Sequence, residues 1–175
     1  MEKIQKISRL FKWILFIILI FQIVAEIWYS LYGEYKFSFN NTTIYMTTEY
    51  FSEKIVFISK FLLFLIDLIP FAFVLYIILI LINLFNQYTK LEIFSSKTIS
   101  LYKKLGWSII CWVITCLILT PIEAIIYTYN TSDRQIYFGI NTDDIYHLVI
   151  GGGVIIIAYI MQKAKEISEE NELTI

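Results

Sequence analysis

Histidine occurs once in this chain of 175 residues, cysteine and proline twice each, and glycine six times. A single histidine leaves little for nucleophilic or metal catalysis, and no His-Glu-x-x-His spacing exists. Cys111 and Cys116 stand five residues apart inside an apolar run, which offers neither a disulfide framework nor a zinc pattern, and both read as small apolar filler. No internal repeat or low-complexity tract is visible. Charge excess is lacking too: 14 Lys and Arg face 15 Asp and Glu, a formal net charge of −1, so the bulk value argues for no direct contact with nucleic acid or anionic lipid. What is abundant is apolar surface. Hydrophobic residues make up 58% of the chain and charged ones 17%, against roughly 45–50% and 25% in soluble domains. One domain is expected, a single membrane domain over residues 1–175, because an ordinary soluble enzyme of this composition would expose large apolar patches.

A hydrocarbon core of roughly 30 Å needs about 20 mostly apolar residues in helical form. Four such runs are present, at about residues 13–32, 55–85, 105–127 and 145–161. The first follows Lys3, Lys6, Arg9 and Lys12 as a secretory signal would, but its apolar stretch is too long, contains Glu26 and lacks a small-x-small cleavage site. It reads as a retained helix. The second run exceeds the bilayer core, so part of it must project, tilt or kink, and Pro70 offers a kink point, as Pro121 does in the third.

Lysine and arginine in short loops set orientation because they resist translocation. Ten of the fourteen fall on one side: Lys3, Lys6, Arg9, Lys12, Lys90, Lys97, Lys103, Lys104, Lys163 and Lys165. Both termini are therefore predicted to be cytoplasmic. Trp13, Trp28, Tyr29, Tyr32, Trp107, Tyr127 and Tyr129 fall near the expected interfaces, in agreement. The expected fold is all-α, an integral membrane four-helix bundle. A small outer hairpin around Asn40 and Asn41 and a short cytoplasmic interfacial helix entering the third span, capped at Ser95 or Ser96, would complete it. The second outer loop, residues 130–144, is polar and acidic. Sequons starting at Asn40, Asn41 and Asn130 arise readily by chance in such loops.

Ionisable groups inside the apolar runs cost several kcal/mol unless paired or solvated. Glu26, Asp67, Glu123 and His147 all fall in the outer half, one per helix. The favoured reading is that Glu26, Glu123 and His147 simply reach the outer interface while Asp67 pairs with Lys60; the alternatives are a polar group that fixes helix register, and a cation or proton site. No metal is assigned. Gly151, Gly152 and Gly153 lie within the fourth span, where small residues let helices approach closely, within the bundle or between copies, which leaves the oligomeric state open. The tail carries Glu166, Glu169, Glu170 and Glu172 and ends on Leu173, Thr174 and Ile175. It is either solvated or a docking peptide for a cytoplasmic partner.

The cytoplasmic segments carry a resemblance. Phe85, then Leu91, Glu92, Ile93, Phe94 and Ser95, Leu101, and Leu105, Gly106 and Trp107 are similar to the loop of a family of small bacterial four-helix membrane proteins, domain of unknown function 2975. The ending Ala164, Glu166, Glu169, Glu170, Asn171, Glu172, Leu173, Thr174, Ile175 resembles that family's terminus. Leu91 stands where the family more often has glycine. The resemblance implies no enzymatic role and no cofactor; it implies partnership with small Cro/CI-type helix-turn-helix regulators, held or modulated at the cytoplasmic face, where a basic surface would meet the acidic tail.

Overall fold

The computed structural model describes residues 2–32, 34–39, 42–47, 57–129 and 139–172. Four long helices dominate: α1 (Glu2–Tyr32), α2 (Phe57–Thr89), α3 (Ser96–Thr128) and α4 (Thr142–Glu172). Each has 31 or 33 residues, about 46–50 Å at the helical rise. All four are long and apolar enough to cross a membrane. Between α1 and α2, strands β1 (Glu34–Phe39) and β2 (Thr42–Thr47) pair antiparallel, with Phe39 opposite Thr42 and Glu34 opposite Thr47. Asn40, Asn41, Asn130 and residues 173–175 lie outside the described residues, as does the side chain of Lys60, on which a pairing with Asp67 depended.

The helices are longer than their apolar runs because backbone hydrogen bonding continues through polar residues until a stop signal intervenes. Between α2 and α3 that signal is a Schellman turn. Glu92 N donates to Gln87 O at 3.1 Å and Leu91 N to Tyr88 O at 3.1 Å, with Leu91 in the left-handed region at φ 62°. Ser95 then caps α3, its hydroxyl accepting from Thr98 N at 3.2 Å. The interfacial helix expected before the third span is not a separate element. Once capped at Ser95, α3 continues as one helix to Thr128, with Pro121 inside it. Pro70 likewise lies inside α2. At the start of α4, Asp144 Oδ2 accepts from Asn141 N at 2.8 Å, the reciprocal half of a capping box.

Packing follows chain order: α1 lies against α2, α2 against α3, and α3 against α4. The core is narrow, built from Leu63, Ile78, Ile80, Ile82 and Leu84 of α2, Ile99, Leu105 and Val113 of α3, and Ala158 of α4. Most other large apolar side chains face outward, including Ile17 and Phe21 of α1 and Val149 and Ile160 of α4. None of the most apolar 18 residues of α1 is buried by the rest of the chain. A helix apolar all round and so little covered requires hydrocarbon as its surroundings.

Candidate functional site

One end of the helix array gathers polar side chains from every helix. Gln5 Nε2 of α1 donates to Thr89 O at 3.2 Å, and Lys12 Nζ reaches Asn86 Oδ1 at 3.5 Å. Phe11 stacks on Phe85 with ring centroids 5.3 Å apart, and Phe85 meets Tyr88 edge-on at 5.9 Å. The hydroxyls of Tyr88 and Tyr102 then join α2 to α3. Across the other side of α3, Lys103 Nζ donates to Gln162 Oε1 at 2.6 Å and lies 4.7 Å from the Tyr159 ring centroid, while Lys165 Nζ donates to Ser96 Oγ at 2.5 Å. Start of α1, turn between α2 and α3, and end of α4 are thereby tied together.

Inside this end, the turn is held by a small hydroxyl network. Thr98 is 0% exposed, and its Oγ1 donates to Glu92 O at 2.6 Å. That uses its one hydrogen, so the Ser95 hydroxyl supplies the hydrogen between Ser95 Oγ and Thr98 Oγ1, 3.0 Å apart. Gln87, 2% exposed, closes the turn through its backbone carbonyl, and its side-chain Oε1 has no donor among the described residues.

The acidic tail is less free than its composition suggests. Glu166 accepts from Gln162 Nε2 at 3.0 Å and from Lys163 Nζ at 3.2 Å, and Glu169 pairs with Lys165 at 3.3 Å. Exposed pairs of this kind contribute about 0–1 kcal/mol each, but they lower the negative charge offered to a partner. Glu170 also has an interaction of its own. Glu172 is the last residue of α4, and Leu173, Thr174 and Ile175 lie outside the described residues.

At the opposite end, Asp67 has Glu123 and Glu26 as its charged neighbours. Intervals 67–88 and 102–123 both span 21 residues from the Tyr88 to Tyr102 hydrogen bond, about 32 Å along the helices. That matches the thickness of a hydrocarbon core. His147 does not join the carboxylates. Its ring meets Trp112 edge-on at 5.0 Å, and Trp112 is about 16 Å along α3 from Glu123 at the helical rise. Asp143 O lies 2.6 Å from His147 Nδ1 and only accepts, so Nδ1 carries the hydrogen. Among the described residues, no three of His, Cys, Asp or Glu could hold a metal ion.

Gly151 of α4 and Gly106 of α3 face each other at a close crossing of the two helices. A β-carbon on Gly151 would lie 3.0 Å from Gly106 O, and one on Gly106 would lie 2.7 Å from Gly151 O. Gly152 and Gly153 have nothing within 4 Å. Gly106 as the other half of this crossing, Leu91 as a left-handed turn residue and Thr98 as the buried tie of the turn were not singled out by periodicity or charge. A lone glycine in an apolar helix was the available signal for the first; the family's glycine preference marked the second.

No curated protein and no solved structure matches the chain. The family described as Protein of unknown function (DUF2975) matches residues 11–175, which takes in the Schellman turn, the glycine crossing and the tail. With essentially the whole sequence covered, and its distinctive residues gathered at the lysine-rich end, the chain belongs to that family of uncharacterised proteins.

Proposed function

We propose that this is a non-catalytic, multi-pass protein of the bacterial inner membrane, with both termini cytoplasmic, that recruits or modulates a cytoplasmic partner such as a small helix-turn-helix regulator. It acts without a cofactor and touches no nucleic acid itself. The observation that supports this reading is the joining of α1, the turn between α2 and α3, and α4 at a single lysine-rich end. A platform built from three separated segments suits protein docking, and α4 carries its glutamates beyond it. Recovery of bound proteins from solubilised membranes tests it. Full-length protein retains a cytoplasmic partner, and a truncation lacking residues 163–175 does not; full-length protein that retains none would reject the reading.

A second reading, handling of an ion or solute, draws support from the proximity of Asp67 to Glu123 and Glu26. The distance of these carboxylates from the lysine-rich end favours an interfacial role instead. Glu26→Ala, Asp67→Ala and Glu123→Ala in reconstituted vesicles separate the two: unchanged flux in all three ends the transport reading.

A further inference from the structure

We infer that the outward stripe of α3 binds anionic phospholipid, with the headgroup at Lys97 and Lys104 and the acyl chains along the helix below them. The first turns of α3 direct Thr98, Ile99, Leu105 and Ser108 inward. This rotation leaves Lys97, Ser100, Lys104 and Trp107 outside, spaced by three and four residues and therefore on one face. Trp107 is 57% exposed, and Phe94 in the preceding turn is 59% exposed.

The two lysines differ from Lys103 and Lys165 in having no side-chain partner among the described residues. Lys103 is taken up by Gln162 and Tyr159, and Lys165 by Ser96 and Glu169. The side chains of Lys97 and Lys104 make no hydrogen bond or ion pair among the described residues; the backbone carbonyl of Lys104 accepts from Ser108 Oγ. They stand about 10 Å apart along the helix, and the stripe between them holds no carboxylate. Below Trp107 the same line continues through Cys111, Ile114 and Ile118, all exposed.

This sequence of chemistries identifies the occupant. Free phosphate would use only the upper half of the stripe, and a soluble acidic protein would lose contact where the hydrocarbon begins. A phospholipid with a net negative headgroup fits its whole length: phosphate against the ammonium groups, glycerol region at the indole, chains along the isoleucines. The inference rests on α3 spanning the membrane and not on the partner proposed above.

Native mass spectrometry of full-length protein, delipidated in detergent and offered equal phosphatidylglycerol and phosphatidylcholine, tests it. Wild type retains phosphatidylglycerol preferentially, and the preference falls as salt rises. Lys97→Gln with Lys104→Gln lowers it about fivefold or more. Lys97→Arg with Lys104→Arg keeps it, as does Lys163→Gln with Lys165→Gln. Equal preference in wild type and the Lys97→Gln, Lys104→Gln protein overturns the inference, as does a salt-independent preference. Displacement of phosphatidylglycerol by millimolar inorganic phosphate also overturns it, by marking a free-anion site.

Discussion

A left-handed backbone at a residue with a β-carbon costs about 1–2 kcal/mol, and Leu91 bears that cost so that the Schellman turn can close. Glycine would remove the strain but lose about 0.5–1 kcal/mol to its freedom in the unfolded chain. Leu91→Gly is therefore expected to raise stability by about 0.5–1 kcal/mol, and the β-branched Leu91→Val to lower it, as read from thermal unfolding in detergent. The glycines divide by what surrounds them. Gly106→Ala places a β-carbon 2.5 Å from Ile155 Cγ1 and 2.7 Å from a backbone oxygen, so the helices must separate, at a cost of about 1–3 kcal/mol. Gly152→Ala and Gly153→Ala meet nothing and should leave stability unchanged or raise it by up to about 1 kcal/mol each. Equal losses at all three positions in the same unfolding measurement would show that the α3 and α4 crossing lies elsewhere.

Among elements, the turn from α2 to α3 is the most tightly specified. Ser95, Thr98 and the Glu92 carbonyl share hydrogens in a closed set with Thr98 fully buried, so its members depend on one another. Ser95→Ala should cost about 1 kcal/mol through the lost cap, and Thr98→Val about 1–3 kcal/mol because the Glu92 carbonyl is left without that donor. The double variant should lose less than the sum, a coupling that a double-mutant cycle detects; strict additivity would mean the two act separately. The cap at Ser95 was readable from residue type. That α3 would run on from it as one helix was not, because Gly106 and Lys103 look like interruptions until Gly151 and Gln162 are seen beside them.

At the scale of the whole molecule, orientation is the open quantity with the most direct measurement. In a Cys111→Ser, Cys116→Ser background, Asn40→Cys should react with a membrane-impermeant thiol reagent added outside intact cells, and Lys97→Cys should not; the reverse pattern would invert the topology. The number of spans and their approximate limits were legible because transfer into hydrocarbon is a local quantity, summed over some 20 consecutive residues. The gathering of lysines at one end was legible from their placement between the apolar runs. The separation of His147 was not legible. It follows from α4 packing against α3 with His147 beside Trp112, an offset that hydropathy does not encode. Which glycine carries the crossing, which lysines are neutralised and which face of α3 remains open were likewise decided by tertiary structure alone. Each depends on how surfaces distant in sequence fit together, whereas membrane placement depends only on what each stretch of chain exposes to its solvent.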